Sequence, residues 1–241
     1  MSKRVLLKIS GEMFAGTREH QHGIDGNWVA WLAQELKRTI EILPGIQIAI
    51  VVGGGNLMRG KKLEEQEEAK VIKRATADYI GMLATVMNGL ALSDGLSSFG
   101  VDNTLFSKIE VESIADNFRR RKAIKSLEKG RVIILTGGAG VPYMTTDVIS
   151  VLAGLELDCE IVLKATKVDG IYDKDPTKNQ NAKKYKELSL HAAFTDPNIT
   201  VMDDAAIALA KENKLPIKVF NLDDGTIAKA ITSDDIGTIV K

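Results

Sequence analysis

Short apolar runs rich in β-branched residues recur along the chain, separated by stretches long enough for a helix. The runs have the length of a strand and almost no internal polar residue, which indicates strands buried on both faces of a parallel sheet. They are RVLLKI (4–9), IQIAIVV (46–52), RVIILT (131–136), CEIVLK (159–164) and PIKVF (216–220).

Helical patterns occupy the stretches between these runs. Residues 27–43 place Trp28 and Trp31 on one apolar face, where we expect them to pack in the core. Residues 75–92 form a second long pattern rich in Met and Leu, and 202–214 begin with carboxylates suited to capping a helix. Strands that alternate with helices predict an α/β fold, a three-layer α/β/α sandwich with a mainly parallel central sheet.

The composition agrees with an α/β fold and argues against a nucleic-acid-binding, membrane-spanning or secreted protein. The chain has 241 residues, 44% apolar and 27% charged, as in ordinary soluble α/β proteins. Lys plus Arg and Asp plus Glu balance at 32 each, so bulk charge indicates no nucleic-acid partner. No apolar stretch approaches the ~20 residues of a membrane span. Lys8 interrupts the first apolar run, so we interpret residues 1–10 as leading into a strand, not as a secretion signal, and expect a cytoplasmic protein.

Cysteine and histidine give no sign of a disulfide or a metal site. Cys159 is the single cysteine, and its position before an apolar run predicts a small buried core residue. His20 and His22 lie in a polar stretch without a cysteine or another histidine pair nearby. We therefore predict no metal ion held by the protein alone.

The segment GGNLMRGKK at 54–62 comes close to a P-loop but does not complete it. Lys62 stands where the P-loop has a Ser or Thr that holds magnesium, and the acidic stretch 64–68 would crowd a triphosphate. The dinucleotide pattern G-x-G-x-x-G also fails, because its last position falls on Met58 in one glycine cluster and on Tyr143 in the other. Neither a P-loop kinase nor a Rossmann dehydrogenase is indicated.

Glycine-containing turns follow three of the predicted strands, at Ser10–Gly11, at 53–55 and at 137–140. Ligands of open parallel sheets bind beyond the carboxyl ends of the strands, and glycines there let backbone N–H groups approach anionic oxygens. Three such turns on neighbouring strands predict an anion-binding edge. Each turn taken alone could equally be a tight turn without a ligand.

Cations and carboxylates stand near the same predicted strand ends. Lys8, Arg59 and Lys164 are the cations, and an arginine fork suits a phosphate group. Asp147 and Asp203 stand at predicted helix starts, where their alternative role is to cap the helix. Together these residue types supply what phosphoryl transfer requires, which is positive charge on the moving group and carboxylates to fix metal and lysine.

The chain resembles the bacterial UMP kinases, or uridylate kinases, of the amino-acid kinase family. The resemblance runs in order over essentially the whole chain. Its most specific motifs are GMLATVMNGLAL (81–92) and VLKATKVDGIYDKDP (162–176). The other segments that carry the resemblance are KISGE (8–12), GGGNLMRG (53–60), GVPYMTTD (140–147), VMDDAAIALAKENKLPIKVFN (201–221) and DIGTIV (235–240).

The resemblance implies transfer of the ATP γ-phosphoryl group to UMP, with Mg²⁺, in pyrimidine nucleotide biosynthesis. It also implies one amino-acid kinase domain over residues 1–241, assembled as a homohexamer. Within that domain, about 1–160 would bind UMP and about 161–241 would bind ATP. The acceptor loop departs from the family pattern, since Ala139 and Val141 replace a hydroxyl and an amide.

Matching the family motifs residue by residue implies the site. Lys8 would neutralise the transferring group, Asp203 would orient Lys8, and Asp147 would assist the metal or the acceptor. Arg59 and Lys164 would be further cations, and no general base is required. ATP would be bound by Lys8, Ile9, Ser10, Gly11, Gly55, Arg59, Thr166, Tyr172 and Asp175. UMP would be bound by Gly54, Asp78, Ala139, Gly140, Val141, Pro142, Tyr143, Met144, Thr145 and Thr146.

Two other readings stay open at the level of sequence. One is a kinase of the same fold with a carboxylate or carbamate acceptor, which would require cations that hold such an acceptor. The other is a nucleotide-binding or storage protein without catalysis. Such a protein could dispense with Lys8 and Asp203, and both are present.

Overall fold

The computed structural model describes residues 3–16, 22–58, 71–174, 179, 181–196, 199 and 202–241. The strands are β1 (Arg4–Ile9), β2 (Gln47–Val52), β3 (Asn103–Ser107), β4 (Asp116–Asn117), β5 (Val132–Thr136), β6 (Ile161–Thr166), β7 (Glu187–Leu188), β8 (Ile217–Asn221) and β9 (Thr238–Val240). The α-helices are α1 (Gly26–Ile42), α2 (Arg74–Ser98), α3 (Arg120–Glu128), α4 (Thr146–Glu156), α5 (Leu190–Thr195), α6 (Asp204–Glu212) and α7 (Thr226–Thr232), and a 3-10 helix spans Gly11–Ala15.

The strands form one sheet in the order β4-β3-β5-β2-β1-β6-β8-β9-β7. Every neighbouring pair is parallel except β8 and β9, which are antiparallel. The order places β1 at the centre, between β2 and β5 on one side and β6 and β8 on the other. The predicted mainly parallel sheet is confirmed.

Two apolar cores lie on opposite faces of the sheet, because successive side chains of a strand point to opposite sides. Leu6 and Val162 belong to one core, which α3, α4 and α6 cover. Leu7 and Ile50 belong to the other, which α1, α2 and α7 cover. Helices on both faces of a sheet give the predicted three-layer sandwich.

Helix starts follow the sequence signals closely. Asp25 caps α1 by accepting a hydrogen bond from Asn27 N at 2.9 Å. Thr145 caps α4 and Asp203 caps α6, in both cases through the side chain. These caps matter for the site, because they fix the first turns of the two helices that approach the centre of the sheet.

The remaining structural expectations can be compared directly. Cys159 is buried, and burial raises the pKa of its thiol to about 12. Trp28 and Trp31 are half-buried against the core on the α1 face, and Trp31 donates its indole N–H to Asp224 at 2.8 Å. Among the residues that the structure describes, no helix is long and apolar enough to cross a membrane.

Candidate active site

Two lysines on neighbouring strands share one carboxylate at the carboxyl edge of the sheet. Lys8 of β1 and Lys164 of β6 are register partners, so their side chains leave the sheet side by side. Asp147, in the first turn of α4, places Oδ1 3.0 Å from the Lys8 ammonium and Oδ2 2.9 Å from the Lys164 ammonium. At most 17% of each side chain is exposed. With all three groups ionised, the cluster carries one unit of positive charge in a partly desolvated position.

The ionisation of this cluster follows from burial and from its mutual charges. Burial alone would raise the pKa of Asp147, but the ammonium groups of Lys8 and Lys164 outweigh it and hold that pKa below its usual 3.8. Burial lowers the pKa of Lys164 from its usual 10.5, with Lys8 acting in the same direction and Asp147 against it. Shifted pKa values in a charge cluster beside a pocket are typical of functional sites.

The carboxylate that the structure pairs with Lys8 is Asp147, and the role of Asp203 in orienting Lys8 stays a prediction. Asp203 accepts one hydrogen bond from a backbone amide of its own helix and another from the hydroxyl of Thr145. Its geometry is therefore fixed by the two helix starts. Asp203 still acts on the cluster through space, because it is among the charges that raise the pKa of Lys164 against burial.

A pocket of about 310 Å³ opens beside the two lysines. Its size lies at the small end of the range for ligand pockets. The lining includes the predicted site residues Lys8, Ser10, Lys164 and Thr166. It also includes Glu12, Met13, Ala165 and Lys167, which the sequence analysis did not single out.

The turns that follow β1 and β2 pack backbone against backbone. A Cβ atom at Gly11 would lie 2.3 Å from Gly55 N, and one at Gly54 would lie 2.8 Å from the Gly81 carbonyl oxygen. Neither distance leaves room for a side chain, so these positions require glycine. The predicted meeting of glycine turns at one edge is thus observed for these two neighbouring strands.

Two buried asparagines hold the turn after β2 in place. Asn56 and Asn88 are both 0% exposed and exchange side-chain hydrogen bonds of 3.0 and 2.7 Å. Asn88 also donates to the Gly53 carbonyl and Asn56 to the Gly23 carbonyl, each at 2.7 Å. Sequence reasoning missed this pair, because two asparagines far apart in the chain carry no local signal that they will meet.

The loop at 137–145, which follows β5, is tied to α2 at two points. Gly137 N donates to the Thr85 hydroxyl at 2.8 Å, and Tyr143 N donates to Asp78 Oδ2 at 2.9 Å. Tyr143 has a φ of +69°, which is uncommon for a residue with a side chain. Asp78 therefore contacts the loop that the family resemblance assigns to the acceptor.

Apart from Gly54 in the turn after β2 and Asp78 on α2, the predicted acceptor residues lie along this loop and the start of α4. Val141, Tyr143 and Met144 are 51%, 68% and 50% exposed, so their apolar surface is available to a ligand or a neighbouring chain. Ala139 packs partly against the core. The remaining members are Gly140, Pro142, Thr145 and Thr146.

The predicted ATP residues meet different outcomes. The Ile9 side chain is fully buried, so the backbone of Ile9 is the part available to a ligand. Thr166 ends β6, and Tyr172 lies in the segment that follows, with its hydroxyl hydrogen-bonded to Asp169 at 2.6 Å. Arg59 and Asp175 lie outside the described residues, as do Lys61 and Lys62 of the P-loop-like segment.

A larger groove of about 480 Å³ lies near the amino ends of β1 and β2. It is lined by 42–46, Ile231, Thr232 and Lys3, and the Lys3 ammonium donates to the Ile231 carbonyl at 2.7 Å. The groove therefore offers mainly apolar contacts, whereas the smaller pocket is lined by Lys8 and by Lys164, whose pKa is shifted. The chemistry is indicated at the smaller one.

Comparison with known proteins agrees with this geometry. The model of the amino acid kinase family matches residues 3–221. The chain belongs to the amino acid kinase family. Within the described residues, the match spans the sheet from β1 to the end of β8 and both lysine-bearing strands.

Solved structures of two UMP kinases resemble this member of the family over nearly its full length. The UMP kinase from Bacillus anthracis is 33% identical, with a TM-score of 0.90, covering 99% of this chain and 96% of that one. The UMP kinase from Ureaplasma parvum is also 33% identical, with a TM-score of 0.88 and coverage of 100% and 99%. These matches confirm the resemblance that the motifs indicated.

A more distant structure supports the fold alone. The uridylate kinase from Archaeoglobus fulgidus is 23% identical, with a TM-score of 0.72, covering 98% of this chain and 99% of that one. The three-layer arrangement is thus shared at low sequence identity.

Proposed function

We propose that this protein is a UMP kinase, which transfers the γ-phosphoryl group of ATP to UMP and yields UDP and ADP. The observation that carries the proposal is the pairing of Lys8 and Lys164 on Asp147 beside a pocket. It occurs in a chain that is 33% identical to two UMP kinases over nearly its full length.

The reaction we propose is an in-line displacement at phosphorus. A phosphate oxygen of UMP forms a bond to the γ-phosphorus of ATP, and the bond from that phosphorus to the β,γ-bridging oxygen breaks. The UMP phosphate is already ionised, so no side chain has to remove a proton. Catalysis then depends on positioning and on stabilising charge, as in other phosphoryl transfers.

In this reaction Lys8 and Lys164 neutralise charge on the transferring group. Asp147 holds both ammonium groups at 2.9–3.0 Å, so the cations are in place before the substrate arrives. Fixed charges in a partly desolvated position stabilise a transition state better than mobile ones, because no reorganisation is required during the reaction. Asp203, held by Thr145 and its own helix, is a further carboxylate of the site.

The carboxylates also fit the Mg²⁺ that accompanies ATP. Asp147 Oδ1 is buried and lies 3.0 Å from the Lys8 ammonium, and a carboxylate oxygen has a second lone pair that could face a cation. In the described part of the chain, no three His, Cys, Asp or Glu side chains form a metal cage. Mg²⁺ bound through nucleotide phosphates with one or two protein carboxylates agrees with its usual mode. When bound, the ion would neutralise phosphate charge.

The two substrates would approach the central strand from opposite sides within one domain, residues 1–241. Strands β2 and β5 lie on one side of β1, and we assign that side to UMP because the loop after β5 contacts Asp78. The sheet order places β6 and β8, with Thr166 and the Tyr172 segment, on the side that we assign to ATP. Lys8 of β1 would lie between them, where the phosphoryl group is transferred.

We further propose that the enzyme assembles as a homohexamer and acts in cytoplasmic pyrimidine nucleotide synthesis. Self-association is supported by a stripe of exposed apolar side chains on α2. Tyr79, Leu83, Met87 and Leu90 recur every three or four residues and are 44–54% exposed. Large exposed apolar patches of this kind mark interaction surfaces. The number of subunits rests on the family resemblance.

An ADP-release assay with UMP, CMP, AMP and GMP, each with ATP and Mg²⁺, tests the activity. We expect UMP to give the highest kcat/KM. N-acetylglutamate and carbamate belong in the same screen, because turnover with either would assign the chain to another acceptor class. ATP binding without turnover of any acceptor would favour a nucleotide-binding or storage protein.

A further inference from the structure

Asp169 joins two side chains of the segment that follows β6. Its Oδ1 accepts the hydroxyl hydrogen of Tyr172 at 2.6 Å, and its Oδ2 lies 3.0 Å from the Lys184 ammonium. Tyr172 and Lys184 also face each other in an isolated antiparallel bridge. The carboxylate therefore links both sides of this bridge.

The segment that carries Asp169 is hydrogen-bonded to β9 through Thr238. Ile171 N donates to the Thr238 hydroxyl at 2.9 Å, and that hydroxyl donates to the Tyr185 carbonyl at 2.5 Å. A Cβ atom at Gly170 would lie 2.7 Å from Thr238 Oγ1, so the backbone lies directly on β9. Asp169 thus projects from a fixed backbone and can impose a position on a neighbouring side chain.

We propose that Asp169 is a positioning residue for the nucleotide donor, because it fixes the ring of Tyr172 as a wall of the adenine-nucleotide pocket. The inference rests on the proposed function, which assigns Tyr172 to ATP. The Asp169 carboxylate would not touch ATP itself. It acts through the tyrosine hydroxyl and is held in turn by Lys184.

The charges of the pair agree with this arrangement. The Tyr172 hydrogen bond, more than the nearby Lys184, holds the pKa of Asp169 below its usual value despite some burial. The same bond raises the pKa of the Tyr172 hydroxyl. Asp169 therefore stays an ionised acceptor and Tyr172 a protonated donor at neutral pH, so the contact persists over the working range.

Because the Asp169 side chain is exposed, its role in ATP binding can be tested separately from any role in stability. The side chain of Asp169 is 56% exposed, and exposed ion pairs contribute little to the free energy of unfolding. Loss of the carboxylate should therefore leave the fold intact. It should instead free the Tyr172 ring, and ordering one mobile side chain on binding costs about three- to tenfold in affinity.

Calorimetric titration of the full-length protein with ATP and Mg²⁺, together with steady-state kinetics, tests the inference. We expect Asp169→Ala to raise the ATP Kd and KM about three- to tenfold, with kcat at saturating ATP and the UMP KM unchanged. Tyr172→Phe, which keeps the ring and removes the hydroxyl, should weaken ATP to a similar degree. Because both variants remove the same bond, the double variant should be no worse than either single one.

Matched variants make the outcome specific. Asp169→Asn retains an oxygen that can accept the tyrosine hydroxyl, so it should restore most of the affinity. Glu187→Gln, which removes another exposed carboxylate paired with a lysine, should leave ATP binding unchanged. An unchanged ATP Kd in Asp169→Ala would overturn the inference. So would a lower unfolding temperature with parallel losses in kcat and UMP affinity, because that pattern means general damage.

The binding measurement also distinguishes this inference from the proposed function. If the wild-type protein binds ATP but does not phosphorylate UMP, the proposed function fails and the comparison of ATP Kd values still decides the role of Asp169. If the wild-type protein does not bind ATP, the positioning role fails as well, since the pocket it serves would be absent.

Discussion

Asp147 contacts the ammonium groups of both lysines beside it. Lys8 and Lys164 leave adjacent strands in register, and two ammonium groups so close together would repel each other without a shared carboxylate. The helix start that carries Asp147 also places the carboxylate where backbone N–H groups favour negative charge. Stability and proposed catalysis therefore depend on the same side chain.

Asp147→Asn should destabilise the fold and remove activity together. It removes the carboxylate that both largely buried ammonium groups share, and loss of one partner from a fully buried pair costs about 3–5 kcal/mol. Because this edge is partly open, we expect about 1–3 kcal/mol. Urea denaturation measures the difference. Asp204→Asn, which changes an exposed aspartate in the first turn of another helix, is the control and should stay close to wild type.

The stabilisation that Asp147 provides should depend on pH, and comparing wild type with Asp147→Asn measures it. The folded pKa of Asp147 lies below its usual 3.8, so its stabilising contribution is fully present above that value and is lost as pH falls through the folded pKa. The difference in the free energy of unfolding between wild type and Asp147→Asn should stay constant from pH 7 to about pH 5 and become smaller below pH 3.8. A gap that widens on acidification would show that the carboxylate is not stabilised by its lysines.

At the scale of elements, the sequence predicted what local pattern controls. The continuous apolar runs became β1, β2, β5, β6 and β8 with bounds that shift by at most two residues. The short or polar strands at 103–107, 116–117, 187–188 and 238–240 were missed, because they carry too few apolar residues to show a period. Helix α3 was missed for a related reason, since most of its residues are charged.

The site residues likewise divide into those that a local sequence pattern reveals and those that depend on the fold. Lys8, Ser10 and Lys164 could be found from sequence, because each stands at or next to the end of a recognisable apolar run, whereas Thr166 came from the family motif. The partner of Lys8 could not, since it depends on strand register and on the placement of a helix that packs from elsewhere in the chain. The sequence therefore did not show that Asp147, in the first turn of α4, would pair with Lys8.

At the scale of the whole molecule, the sheet order and the α2 surface describe two separate properties. The central position of β1 brings the lysine pair between the two proposed substrate sides. The stripe of Tyr79, Leu83, Met87 and Leu90 lies on a helix of 25 residues, Arg74–Ser98. About half of each of these side chains is exposed in the described part of the chain, so we assign the stripe to contact between copies.

Light scattering after gel filtration tests that assignment. We expect the wild-type protein to elute as a hexamer and Leu83→Asp to elute as a smaller species, because a charge buried at an apolar contact is costly. Phe194→Asp, at another apolar residue that is 43% exposed, is the control and should keep the wild-type mass. An unchanged mass in Leu83→Asp would show that the α2 stripe does not hold the subunits together.

The central claim is that Lys8, held by Asp147, stabilises the phosphoryl group in transit, and turnover of Lys8→Ala tests it most directly. Asp147 keeps Lys164 as a partner in that variant, so the fold should survive. Removal of one preorganised charge should lower kcat at least ~100-fold, by analogy with oxyanion donors worth ~3–4 kcal/mol. Lys3→Ala, near the other end of β1, should keep wild-type turnover. A folded Lys8→Ala protein with near-normal kcat would contradict the account.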